Sequence, residues 1–254
     1  MVSIETILTR WMNATPKVLM VCLIILVIID LLVSKKLGFL KAAPHYLGGK
    51  DFWLRILPVA AVGGLVFADQ PTIAWVQSLQ QPLIKAWIQV GANLGRWIWL
   101  YVSIAYCISR LFRLSALSRI LSTGLLAALI TAVIVHALKF LISRARPYED
   151  LGPLSWFNYA QGFQDARGFQ SFPSGDAAIV AAVAFFFFYV TPSKVFRWLW
   201  LLFPLATAFS RMSINKHWPT DTMASWVVAN AIAWLFIQLQ YSVFTSAKPK
   251  PVRV

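Results

Sequence analysis

The sequence predicts an all-α fold, a polytopic transmembrane helical bundle. Three observations predict it. Of 254 residues, 59% are hydrophobic and only 13% are charged, whereas a soluble domain is nearer half apolar and a quarter charged. The apolar residues gather in runs that approach the roughly 20 residues a bilayer crossing needs. The basic residues collect in short segments between those runs, as in cytoplasmic loops. The formal charge of +14 is therefore read as membrane topology, and nucleic acid is excluded as a partner. Cys22 and Cys107 lie inside apolar runs and read as small packing residues, with no disulfide or metal site.

The first apolar run covers 18–33, with Asp30 near its end as an interfacial carboxylate. It closes on Leu-Val-Ser34-Lys35-Lys36 and shows no small-residue cleavage site, so it reads as a retained extra N-terminal span. A basic stretch over 35–55 leads into a second run, 53–68. Between 70 and 95, Trp75, Leu79, Leu83, Ile84, Trp87 and Ile88 recur at helical spacing. That pattern predicts an amphipathic helix at the membrane surface. Spans follow over 97–111, 120–142, 174–190, 196–209 and 222–240. The segment 147–172 is a polar loop with Gly, Pro, Asp and Asn, and Thr191-Pro192-Ser193-Lys194 is a tight connection. The run Phe185–Phe188 reads as lipid-facing packing. The expected divisions are an N-terminal segment 1–52, a membrane core 53–241 and a basic cytoplasmic tail 242–254.

Charge sets the orientation. The 35–55 stretch, the 110–119 loop, the Lys194/Arg197 turn and the tail hold 13 of the 23 Lys and Arg, which places them in the cytoplasm. Six of the remaining cations, Lys139, Arg144, Arg146, Arg167, Arg211 and Lys216, cluster in or beside three motifs at the opposite face. In a bacterium that face of the inner membrane is periplasmic.

The motifs suit a phosphate group. Lys139 and Arg146 are seven apart, about two helical turns, and project from nearly the same side. Pro147 ends the helix by about Ala145 and turns Arg146 back over the site. Arginine grips two phosphate oxygens at once and lysine supplies a compact charge. Arg144, between them, reads as a boundary residue reaching toward the headgroups. Pro173-Ser174-Gly175-Asp176 opens an apolar helix. Ser174 can cap it, Gly175 admits a ligand close to the backbone, and the helix N-terminus favours an anion. Ser210-Arg211 closes the next span, and His217-Trp218-Pro219-Thr220-Asp221 follows. Asp221 is close enough to fix one imidazole tautomer and leave the other nitrogen to attack.

Lys139-x6-Arg146-Pro147, Pro173-Ser174-Gly175 and Ser210-Arg211-x5-His217-x3-Asp221 together resemble the signature of the type-2 phosphatidic-acid phosphatase superfamily. The superfamily includes membrane lipid phosphatases, soluble acid phosphatases and vanadium haloperoxidases. The resemblance extends over roughly residues 55–240 and implies a six-span phosphatase core, to which this chain adds its N-terminal span. It implies that His217 is the nucleophile, through a phosphohistidine, and that Asp221 orients it. It implies that Lys139, Arg146, Ser174, Gly175 and Arg211 bind the phosphate, with no cofactor and no metal. One position departs: the family has His where this chain has Asp176. That His protonates the leaving oxygen, whereas an aspartate at neutral pH ordinarily holds no proton to give. Asp176 is then a general acid, a substrate ligand with the acid elsewhere (His136 is one such group), or a mark of lost catalysis.

The function expected from this resemblance is hydrolysis of a lipid phosphomonoester or diphosphate at the periplasmic face. The substrates in view are undecaprenyl pyrophosphate, phosphatidylglycerol phosphate, phosphatidic acid and a lipid A phosphate. The alternatives are transfer of the phosphate to another lipid and a non-catalytic protein that binds or moves such lipids.

Overall fold

The computed structural model describes residues 47–79 and 81–246, together with Ile25. The expected span over 18–33, with Cys22 and Asp30, and the last residues of the tail lie outside the described residues. Among the described residues all regular structure is helical. In chain order the main helices are α1 (Lys50–Ile56), α2 (Pro58–Gly63), α3 (Asp69–Ser78), α4 (Pro82–Leu111) and α5 (Ser115–Ile142). Then come α6 (Tyr159–Gln164), α7 (Ala166–Phe169), α8 (Gly175–Val190), α9 (Lys194–Leu199), α10 (Leu202–Ser213) and α11 (Pro219–Ser246).

The centre of the bundle is α8, which packs against both α11 and α5. Its inner face is alanine: Ala177, Ala178, Ala181 and Ala182 are all 0% exposed, as are Ala224, Ala229, Ala231 and Ala233 of α11. In lipid the hydrophobic effect does not draw helices together, so close van der Waals contact between small residues does. Gly91 of α4 is a sharper case. A Cβ there would stand 2.1 Å from the carbonyl oxygen of Ala206, so only glycine lets α4 meet α10. Phe186 is fully buried and Phe187 stacks on Trp200 at 4.7 Å. The phenylalanine run thus wraps around its helix into neighbouring packing, and its expected lipid-facing role is not uniform.

Two boundaries differ from expectation. The single amphipathic helix expected over 70–95 is two helices. Its first part is α3, and its second part continues straight into the expected 97–111 span as the 30-residue α4. Pro82 in the first turn of α4 marks the break, since it preorganises a helix start and cannot continue the previous one. The second run is also broken: 50–63 and 66–78 meet at 54°. That bend carries Asp69 inward, where it is wholly buried. Among the described residues two helices are long and apolar enough to cross a membrane, or three if the bent pair counts as one. Gly175–Val190 is a shorter apolar helix, and Trp97–Leu111 is the apolar part of α4. A helical membrane bundle is the fold.

Candidate active site

The three motifs converge at one end of the bundle, where α5 and α10 finish and α8 and α11 begin. α5 ends at Ile142 because Ser143 adopts a left-handed conformation, φ 43°. The chain then runs extended through Arg146, φ −76° and ψ 158°. Lys139 and Arg146 therefore do not share a helical face, as their spacing had implied. The extended segment brings them together instead. It is tied down by Ala145 N–H donating to Ser155 O at 3.0 Å and Arg146 N–H donating to Gly168 O at 2.8 Å. Lys139, 6% exposed, donates from Nζ to Gln170 O at 2.6 Å.

His217 lies in the loop before α11 and is 4% exposed. Its Nδ1 is 3.4 Å from Asp221 Oδ2 and 3.4 Å from Ser171 Oγ. Asp221 Oδ2 also accepts from Trp218 N–H at 2.8 Å and from the Ser171 hydroxyl. The four-residue spacing works because Pro219 starts α11, and Asp221 sits in its first turn beneath the loop. Burial pushes the His217 pKa down to about 4. The hydrogen bond and charge of Asp221 oppose that shift, while the charges of Lys139 and Arg146 add to it. The imidazole is thus neutral at ordinary pH. With Nδ1 turned to Asp221, Nε2 is the nitrogen left for chemistry.

The surrounding groups can hold an anion. Ser174 stands at the N-cap of α8 but does not cap it, contrary to expectation: its Oγ is buried and has no hydrogen-bond partner. Its N–H instead donates to Asp221 O at 3.1 Å. The Nε atoms of Arg146 and Arg211 are likewise buried and unpartnered. A Cβ added at Gly175 would touch Lys139 Cε at 3.7 Å, so α8 starts directly against the lysine. Arg211 Nη1 donates to Asp176 Oδ2 at 2.8 Å, which gives the residue in the family's histidine position a cationic partner. His136 is exposed, with Nδ1 2.9 Å from Ala132 O of its own helix. It lies on the outward stripe of α5 with Val133 and Phe140, neither in the pocket nor packed as a core residue.

Arg144 corrects the sequence reading most. It is 0% exposed, and no part of it reaches a headgroup. Its Nη2 is 2.6 Å from Asp69 and its Nη1 2.6 Å from Asp221. Nη1 also donates to Thr220 Oγ1 at 2.8 Å, and Nε and Nη2 donate to Pro153 O. The guanidinium lies over Trp156 at 4.2 Å. Sequence reasoning missed Asp69 altogether. The available signal was a carboxylate directly after the apolar run 53–68, which at membrane depth needs a buried partner.

With this geometry in place, the relatives are informative. Residues 121–244 match the model of the PAP2 superfamily. This region belongs to the PAP2 superfamily. The match begins later than the 55 expected from the motifs, so Asp69 lies outside it. The PAP2 region includes Lys139, Arg146, Ser174, Arg211, His217 and Asp221. An undecaprenyl-diphosphatase of Sulfolobus acidocaldarius is 27% identical over 116 residues, 44% of this chain. The chain matches about half of that relative's length, 54%. The crystal structure of Aquifex aeolicus LpxE superposes with a TM-score of 0.51 at 17% identity, over 67% of this chain and 95% of that one. That likeness shows a shared fold.

Proposed function

We propose that this protein is a membrane lipid-phosphate phosphatase that works through a phosphohistidine at His217, with a lipid diphosphate as its preferred substrate. The observation that carries the reading is the buried His217–Asp221 pair, set among Lys139, Arg146 and Arg211, with two arginine Nε atoms and the Ser174 hydroxyl unpartnered. Such groups are costly to bury unused, and a phosphate oxygen would satisfy each of them. In the first half-reaction the Nε2–P bond forms and the bridging P–O bond breaks, its electron pair leaving on the departing group. In the second, water attacks phosphorus, the P–N bond breaks, its pair returns to Nε2, and the proton of water goes to the released phosphate. Lys139, Arg146, Arg211 and the Ser174–Gly175 turn stabilise the charge on the three equatorial oxygens.

Asp176 favours a diphosphate. Its Oδ2 accepts from Arg211 Nη1, which engages it as an acceptor in place of the family's histidine. A lipid alkoxide leaves poorly without a proton, whereas a lipid monophosphate leaves as an anion without one. The name of the Sulfolobus relative supports the same first choice, undecaprenyl diphosphate. We further read the site as periplasmic, in a bacterial inner membrane, with a core over 53–241. The 13 of 23 Lys and Arg that collect at the opposite ends of the helices support this orientation.

The test is phosphate release by the detergent-purified protein from undecaprenyl diphosphate, phosphatidylglycerol phosphate, phosphatidic acid and a lipid A phosphate. An acid-labile, base-stable phosphoryl label on His217 accompanies it. Fastest release from the diphosphate is the expected result. No release from any of the four by folded protein overturns the reading.

A further inference from the structure

Asp69 and Arg144 form a second layer behind the reacting pair. Asp69 enters from α3, outside the family match, and touches three groups. Its Oδ1 accepts from Thr220 N–H at 2.9 Å, and its Oδ2 accepts from Thr220 Oγ1 and Arg144 Nη2, each at 2.6 Å. It thus caps the first turn of α11, the turn that carries Asp221. Arg144 spends all its N–H donors on Asp69, Asp221, Thr220 and Pro153 O. The division of Asp221 is informative: Oδ1 goes to Arg144 and Oδ2 to His217, Ser171 and Trp218 N–H. Asp69, Arg144 and Asp221 are all 0% exposed, so their charges act at short range through little water.

A single guanidinium against Asp221 would cancel the charge that the imidazole uses. We propose that Asp69 and Arg144 are positioning residues for the His217–Asp221 pair, with Asp69 supplying the negative charge that Arg144 would otherwise neutralise. The trio Asp69, Arg144 and Asp221 then carries a net charge of one negative, as a lone aspartate would. Arg144 sets the rotamer of Asp221, and Asp69 keeps that contact from weakening the hold on His217. The charges that act on His217 from the other elements are Lys139 of α5 and Arg146 beyond it, and Asp176 of α8, paired with Arg211 of α10, acts on Lys139 in turn. The cations among these make an undiminished negative charge behind the imidazole more important. This inference rests on the phosphatase reading for its kinetic part alone.

The experiment compares wild type with Asp69→Asn, Arg144→Lys and the double variant Asp69→Asn/Arg144→Gln, which restores the net charge of one negative. Two quantities are read: kcat and KM on undecaprenyl diphosphate, and the 15N shifts of His217 at neutral pH in micelles, assigned with His217→Asn. The shifts report which ring nitrogen holds the proton, whether or not the protein turns over. Asp69→Asn is expected to lower kcat about 10- to 100-fold with KM nearly unchanged, the size typical of an outer-shell partner. The Nδ1–H tautomer of wild type should give way to a mixture. Arg144→Lys should do the same, since one ammonium cannot replace the fork. The double variant should recover both kcat and tautomer relative to Asp69→Asn. An unchanged tautomer in folded Asp69→Asn or Arg144→Lys overturns the inference, as does a double variant no better than the single. A changed tautomer with no phosphate release from wild type upholds the positioning and sinks the phosphatase reading instead.

Discussion

Arg144 and Arg211 lie at the same end of the bundle and use their charge in opposite ways: one is held between Asp69 and Asp221, the other pairs with Asp176. Arg144 is sealed, with all its donors spent inside the protein and a carboxylate on each side. Arg211 is 12% exposed at its side chain, pairs with a carboxylate that is 41% exposed, and leaves its Nε buried without a partner. A charge whose hydrogen bonds are complete can hold a structure but cannot receive a ligand. A charge left incomplete beside a pocket can receive one. The contrast supports the proposal that Arg144 belongs to the scaffold and Arg211 receives the phosphate.

The most severe variant for activity is His217→Ala, which removes the nucleophile both arginines serve. Phosphate release should fall at least ~10⁴-fold, because loss of a covalent nucleophile leaves binding and electrostatics alone. Residual turnover within tenfold of wild type would remove the pocket from the chemistry. Next comes the reciprocal pair. Arg144→Ala leaves two buried carboxylates without their cation and should cost about 3–5 kcal/mol, read by thermal or denaturant unfolding in micelles. Arg211→Ala should cost under about 1 kcal/mol, since its partner is partly solvated. It should still lower kcat about 10²- to 10³-fold, as loss of a charge-stabilising donor does. Equal stability losses in the two variants would erase the distinction.

Acid reports on the same enclosure. The His217 pKa lies at about 4 in the fold, against an ordinary value of about 6.5. Folded protein therefore binds fewer protons than unfolded protein between those values. Its contribution to stability is complete above about 6.5 and is lost as pH falls toward 4. Unfolding midpoints measured from pH 7 to 4.5 should decline in wild type and decline less in His217→Asn. The kcat/KM of wild type should hold level down to about pH 5, because the nucleophile stays unprotonated. An acidic limb near 6.5 would mean that the pocket is wetter than its burial implies.

The helical class was legible because apolar runs and basic connections are one-dimensional patterns. The three motifs that carry Lys139, Arg146, Ser174, Arg211 and His217 stood out through their resemblance to a known signature, while the extended segment that brings Arg146 to Lys139 did not. What was not legible depends on closure in three dimensions. Arg144 reads as a boundary residue from its neighbours, and only the bend between 50–63 and 66–78 shows that Asp69 reaches it. The end of α5 at Ile142 agrees with the expected span, whereas the left-handed Ser143 that produces it leaves no compositional mark. The break before α4 was missed because the apolar spacing on either side of 79–81 stays in phase.

The smallest expected effect falls on the open side of the comparison, at Asp176. If its carboxylate serves to occupy Arg211 between turnovers, a phosphate must displace it. Asp176→Asn then removes a competitor and no chemistry. KM for a lipid diphosphate should fall by about fivefold at most, the worth of a partly exposed ion pair, while kcat stays within about twofold. Phosphomonoesters should remain poor, because asparagine brings no proton donor either. A collapse of kcat for the diphosphate by a hundredfold or more would identify Asp176 as the proton donor, and Arg211 would become its holder. Asp176→His separates the same two cases from the other direction. A donor restored beside Arg211 should raise monoester turnover and leave diphosphate turnover unchanged, because only the alkoxide waits for a proton.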